Sequence, residues 1–157
     1  MGAAHGGLRG IARVKQIFVL NGPNLNRLGT REPEIYGSTT LAEVEAMCRE
    51  AAGDIPLTFR QSNFEGELIS WIHEAIDQDA GIIINPAAYT FTSIAILDAL
   101  KMMRRPIIEL HISNIHRREA YYHNSFVSKT ATAVIAGLGP QGYPLAVRAM
   151  AKLLAKG

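Results

Sequence analysis

Cysteine is almost absent. Cys48 is the only one in 157 residues, which excludes an internal disulfide framework and a metal site built on cysteine. A reducing, cytoplasmic setting is the expectation for such a chain. Charge of one sign is lacking too: Lys and Arg number 16, Asp and Glu 14, and the net charge is +2. Basic residues adjoin only at Arg104-Arg105 and Arg117-Arg118, which gives no footprint for nucleic acid or an anionic membrane. No apolar run reaches the length of a membrane span. Internal repeats and low-complexity linkers are missing, so a single compact domain is expected over 15–157. Residues 1–14 are rich in glycine, carry Arg9 and Arg13, and have no acidic side chain. They lack the continuous apolar core of a secretion signal and read as a flexible N-terminal extension.

What is present is an alternation of short apolar runs with helix-periodic segments. Strands are expected at 16–20, 57–60, 81–84, 106–110 and 131–136, and helices at 39–52, 65–77, 92–103 and 143–155. Thr40 can cap the first helix, and Leu41, Val44, Met47 and Cys48 share one of its faces. Leu68, Ile69, Ile72 and Ile76 form the inward face of the second helix. Ile94, Ile96, Leu97 and Leu100 are available for packing on the third. Leu145, Val147, Met150, Leu153 and Leu154 offer an apolar surface on the last. All-apolar strands alternating with helices predict an α/β fold with a parallel sheet covered on both faces. Five of them suggest the flavodoxin-like order 2-1-3-4-5. Ligands in such folds sit beyond the carboxyl ends of the strands. Those ends are residues 21–24, 61–63, 85–89, 111–114 and 137–141, and four of the five carry Asn, a residue with donors and an acceptor for small polar ligands.

The connection at 21–37 is the most unusual. A strand-to-helix connection usually needs only a few residues; this one spends its length on turn formers and reactive groups, with Arg31 and Tyr36 in its second half. It reads as an active-site lid. A tyrosine must ionise to act as a base, and a neighbouring guanidinium favours the phenolate. From the residues alone, a surface-packed Tyr36 beside a solvated Arg31 fits as well. Glu109 and His111, at i and i+2 on a strand, point to the same face. A carboxylate beside an imidazole orients it and stabilises the charge it takes on with a proton, which makes His111 a candidate general acid. His111 and His116, five apart, do not share a helical face, and Glu109 with His111 supplies two ligands only, so no metal is expected. Residues 137–142 match G-x-G-x-x-G, but after the last strand and with no further strand to supply the acidic partner. A tight turn is expected there, not a dinucleotide site. His5, His73 and His123 have no catalytic setting, and Cys48 reads as a small core residue.

Several stretches taken together resemble the type II 3-dehydroquinate dehydratases. They are Asn21-Gly22-Pro23-Asn24-Leu25-Asn26 with Arg31-Glu32-Pro33-Glu34-Ile35-Tyr36-Gly37, then Gln61-Ser62-Asn63-Phe64-Glu65-Gly66-Glu67, Ile84-Asn85-Pro86-Ala87-Ala88-Tyr89-Thr90, Glu109-Leu110-His111-Ile112-Ser113-Asn114-Ile115-His116, and Gly137-Leu138-Gly139-Pro140-Gln141-Gly142-Tyr143. The likeness runs from about Lys15 to Lys152. It implies dehydration of 3-dehydroquinate to 3-dehydroshikimate, in the shikimate pathway or quinate catabolism, without metal, cofactor or covalent intermediate. It also implies roles. Tyr36, activated by Arg31, takes the proton beside the ketone. Asn24, through a bound water, stabilises the enolate. His111, oriented by Glu109, protonates the departing hydroxyl. Asn85 with the backbone of Ile112 and Ser113 holds the substrate carboxylate and its neighbouring hydroxyl, and Arg118 supports the closed lid. A homododecamer built from trimers is implied, with Asp98 reaching into an adjacent subunit's site.

Two positions depart from the family pattern, which has His where this chain has Phe91 and Arg where it has Tyr122. Both usual residues contact the hydroxyl-bearing side of the substrate ring, so the substitutions remove donors from that wall. Two other readings compete with a dehydroquinate lyase. One is a paralogue acting on a related cyclic β-hydroxy ketone. The other is a non-catalytic flavodoxin-like binding module, for which binding of FMN or NAD would be the sign.

Overall fold

The computed structural model describes residues 14–30 and 32–157, with the side chains of all of these except Ile35 and Tyr36. Arg31 and all but the last residue of the expected N-terminal extension lie outside the described residues.

Five parallel strands form one sheet: β1 (Ile17–Asn21), β2 (Leu57–Gln61), β3 (Gly81–Asn85), β4 (Ile107–His111) and β5 (Ala133–Ala136), in the order β2-β1-β3-β4-β5. This is the expected flavodoxin-like arrangement. The first four strands each end one residue later than the sequence suggests. Asn21, Gln61, Asn85 and His111 belong to the ladder, with Asn21 in register with both Gln61 and Asn85. Backbone pairing does not depend on the side chain being apolar, so the ladder carries polar groups to the edge where a ligand can reach them. Pro106 stays outside β4 because it has no N–H to donate, although its carbonyl accepts from Ile82 N at 3.1 Å.

Every residue of β1, β3 and β4 is buried, as expected for strands covered on both faces. Ile17, Val19, Ile83, Ile108 and Leu110 pack against α2 (Leu41–Ala52) and α5 (Gly142–Ala155). Phe18, Leu20, Ile82, Ile84 and Ile107 pack on the opposite side, against α3 (Glu65–Asp77) and α4 (Ile94–Leu100). Helix α2 starts at a capping box: Thr40 Oγ1 accepts from Glu43 N at 3.2 Å, and Glu43 Oε2 accepts from Thr40 N at 2.9 Å.

Two expectations about the helices need correction. Helix α4 is shorter than 92–103. Ser93 caps it by accepting from Ile96 N at 2.9 Å, and past Leu100 the chain tightens into i−3 bonds from Met102 and Met103. Ile94 and Leu145 are exposed, at 57% and 42%. Each lies two residues, about 200° of helix, before a buried one, Ile96 and Val147, and so faces away from the core. Within the stretch 21–37 lie a 3-10 turn at Leu25–Arg27 and a short helix α1 at Pro33–Tyr36. No helix among the described residues is long and apolar enough to cross a membrane.

Candidate active site

The loops after β1 and β3 meet at the carboxyl edge of the sheet. Gly22 N donates to Asn85 O at 2.8 Å. A Cβ on Gly22 would lie 2.4 Å from Pro86 O, so only glycine allows this approach. Beyond it the chain turns at Asn24, whose φ is 69° and whose N–H donates to Asn63 Oδ1 at 3.0 Å. Leu25 and Leu28 are buried and tie the first half of the loop to the core. On the β3 side Ala87 is also left-handed, at φ 52°, and its N–H donates to Asn85 Oδ1 at 3.2 Å. Non-glycine residues with positive φ persist where the surroundings hold them, often at functional sites. Asn24 and Ala87 both line the same cavity.

A buried polar chain supports the floor. Tyr143 on α5 donates to Asn21 Oδ1 at 2.7 Å and accepts from Asn85 Nδ2 at 2.9 Å. Asn21 Nδ2 donates in turn to Arg60 O at 3.1 Å. The Ala87 N–H can only donate, so the Asn85 amide has one possible orientation, with its oxygen towards Ala87. Burial pushes the Tyr143 hydroxyl above the ordinary phenol range despite the Asn85 bond. It stays a phenol and cannot serve as a base.

The second element of the floor is β4. Glu109 Oε2 lies 2.7 Å from His111 Nε2, and the two residues are 0% and 5% exposed. Glu109 Oε1 accepts from Ser125 Oγ at 2.8 Å and from Ser128 Oγ at 2.6 Å. Burial alone would raise the Glu109 carboxyl. The bonds to His111 and Ser128, the His111 charge and the Ser125 bond outweigh it and hold the group below the ordinary value. Glu109 is therefore a carboxylate in the interior, and Nδ1 is the His111 nitrogen left for a ligand.

Above this floor is a cavity of about 680 Å³, its open mouth included. Pro23, Asn24, Leu25 and Leu28 form one side; Asn85, Ala87, Ala88 and Phe91 form another; His111, Ile112, Ser113, Ile115, Arg118 and Tyr122 close it. Phe91 and Tyr122 make an aromatic wall, edge to face at 5.2 Å between centroids. The Arg118 guanidinium lies 3.9 Å from the Tyr122 ring centroid, within cation–π range.

Of the residues singled out in the sequence, Asn24, Asn85, Phe91, His111, Ile112, Ser113, Arg118 and Tyr122 line one cavity, and Glu109 stands behind His111. Asp98 is exposed on α4 and does not line it. Tyr36 ends α1, directly before Gly37 at φ 75°; its side chain and Arg31 lie outside the described residues. His116 sits away from the cavity with its ring 6.3 Å from that of His123. The 137–142 motif is a turn: Gly137 and Gly139 have φ of 92° and 62°, and a 3-10 turn at Gly139–Gln141 leads into α5. Sequence reasoning missed Ser125, Ser128 and the Tyr143 hydroxyl. Spacing gives no sign of a serine pair reaching 16 and 19 residues back to Glu109.

The arrangement has counterparts. The profile of the family described as Dehydroquinase class II matches residues 15–151. The chain belongs to the class II dehydroquinases. Among members of this family, the chain is 60% identical over 141 residues to 3-dehydroquinate dehydratase 2 of Agrobacterium fabrum, covering 88% of this chain and 95% of that one. It is 59% identical over 144 residues to the 3-dehydroquinate dehydratase of Streptomyces avermitilis, covering 90% and 91%. The crystal structure of type II dehydroquinase from Propionibacterium acnes superposes with a TM-score of 0.84 at 47% identity, over 87% of this chain and 96% of that one.

Proposed function

We propose that the protein is a hydro-lyase that converts 3-dehydroquinate into 3-dehydroshikimate and water. The observation that carries this reading is the Glu109–His111 pair, 2.7 Å apart and buried at the floor of a cavity rimmed by the Asn24 loop. A cyclic hydroxy-ketone acid needs three things in order to lose water: a base on the carbon beside the ketone, a stabiliser for the enolate oxygen, and an acid for the leaving hydroxyl.

Tyr36, activated by Arg31, is the base: its phenolate takes the proton and leaves an enolate. Asn24, through a water, stabilises the enolate oxygen. The enolate then collapses to a carbon–carbon double bond and expels the hydroxyl, which takes the His111 proton and leaves as water. Glu109 balances the charge on the imidazolium until that proton is given up; Tyr36 then releases its proton to solvent and His111 takes one up, which restores the starting state. Asn85 and the backbone of Ile112 and Ser113 hold the substrate carboxylate and the adjacent hydroxyl. Arg118 supports the lid, and closure over 24–36 excludes water from the reaction. Phe91 and Tyr122 face the hydroxyl-bearing side of the ring. The scheme calls for neither metal nor cofactor.

The reading extends to assembly and place. The protein is a cytoplasmic homododecamer, a tetramer of trimers, and exposed Asp98 reaches into the site of a neighbouring subunit. Mixing the purified protein with 3-dehydroquinate tests the activity directly. The near-ultraviolet band of a conjugated enone carboxylate is expected to appear; a folded protein that produces none overturns the reading.

A further inference from the structure

We propose that Ser125 and Ser128 are positioning residues for the proton donor: their hydroxyls clamp the Glu109 carboxylate so that it holds the His111 ring towards the cavity. This rests on His111 acting as the acid of the proposed elimination. Neither serine lines the cavity, so neither touches substrate.

The geometry is specific. Both hydroxyls converge on Oε1, at 2.8 and 2.6 Å, and Oε2 meets His111 at 2.7 Å. The bond directions are fixed. A carboxylate only accepts, so both hydroxyls donate to it. Ser125 Oγ also accepts from Ser128 N at 3.0 Å, so its own proton is free for Glu109. A carboxylate anchored at one oxygen cannot rotate, and the other oxygen then fixes the ring that binds it.

Among the described residues, nothing else facing Glu109 does this. Its partners across the sheet are Ile84 on β3 and Val134 on β5, and among the described residues His111 is the one titratable group bonded to it. The serine segment is itself held to the same core as β4. Phe126 N donates to Thr90 O at 2.9 Å, Thr132 N donates to Ile107 O at 2.7 Å, and Val127 is buried against the α4 side. Ser128 is otherwise exposed, on a groove shared with His116, His123 and Lys129. Trimming its hydroxyl therefore opens no sealed void, and the substitution probes the hydrogen bond more than the packing.

The test uses the whole protein with Ser125→Ala, Ser128→Ala, both together, and Ser128→Thr, in the wild-type and Glu109→Gln backgrounds. For the double alanine variant, kcat on 3-dehydroquinate is expected to fall roughly tenfold, with KM within about twofold, a loss of transition-state rather than ground-state interaction. Without the hydroxyls, burial is offset less, the carboxyl takes its proton at a higher pH, and the acid limb of kcat moves up. Ser128→Thr, which keeps the hydroxyl, retains the wild-type profile. In the Glu109→Gln background, removing the serines costs nothing further, because they act through the carboxylate. Carbon-13 NMR of carboxyl-labelled glutamate, read without substrate and assigned by comparison with Glu109→Gln, shows the Glu109 titration displaced upward in the double alanine variant. An unchanged titration and acid limb would overturn the proposal. So would an equal loss of kcat in the Glu109→Gln background, which would mark a fold defect. A wild-type protein inert towards 3-dehydroquinate sinks the substrate assignment alone, since the NMR titration needs no substrate.

Discussion

The phenyl ring of Phe91 lies stacked against the imidazole of His111, 6.0 Å between centroids and 24° between planes. The proposed acid thus has a carboxylate on one side and an apolar ring on another. The Phe91 ring offers no donor to a hydroxyl-bearing substrate edge, and Tyr122 beside it offers one hydroxyl.

Phe91→His is expected to raise kcat/KM on 3-dehydroquinate. A hydrogen bond restored to a polar group is worth about 1–3 kcal/mol, roughly a five- to hundredfold gain. Tyr122→Arg gains less by itself. It removes the ring on which Arg118 rests at 3.9 Å and brings a second cation beside the first. Steady-state kinetics of the two variants and their combination decide the matter; no change at Phe91→His contradicts a role for this wall in substrate affinity.

Glu109 predicts a pH dependence of stability. Its carboxyl is held below the ordinary value of 4.5 in the folded protein. A depressed folded value adds stability that is present above the unfolded value and is lost as pH falls through the folded one. Melting temperature should therefore hold down to about pH 4.5 and fall below it. Glu109→Gln should be less stable at neutral pH and show a shallower decline in acid. Parallel curves for the two proteins would show that Glu109 is not the group responsible.

Tyr143→Phe removes one hydroxyl from the chain Asn21–Tyr143–Asn85. Two buried amides then lose a partner, at a cost of about 1–3 kcal/mol each, which urea denaturation measures. The Asn85 amide also loses its tie to α5, so KM for 3-dehydroquinate is expected to rise more than kcat falls. A variant as stable as wild type with unchanged KM would leave the hydroxyl without a role.

The stepwise scheme separates the two proton transfers. In D2O, His111→Ala should still exchange the substrate proton beside the ketone but form almost no product, because the enolate lacks an acid to expel the hydroxyl. Proton NMR of the substrate reads this. Absence of exchange in a folded His111→Ala protein would argue against a free-standing enolate.

Much of this was legible in the chain. β1 and β3 announce themselves as unbroken apolar runs, and β4 as one broken only by Glu109, because both their faces are covered, and that pattern led to the sheet order. Glu109 and His111 were readable as a pair because strand geometry alone sets i and i+2 on one face. Ile94 and Leu145 were misread because an apolar side chain does not say which way its helix turns. Ser125 and Ser128 were invisible because their meeting with β4 depends on how the segment beyond Tyr122 folds back, and no local periodicity encodes that. The helix α1 inside the lid is four residues long, too short to show a helical period.

The most direct measurement is turnover of 3-dehydroquinate by the wild-type protein and by Tyr36→Phe, followed at the enone band under identical conditions. The account predicts product from the wild type, and a folded Tyr36→Phe protein with activity reduced by roughly 10²–10⁴-fold, the range expected for loss of a positioned general base. Full activity in Tyr36→Phe, or none in the wild type, would contradict it.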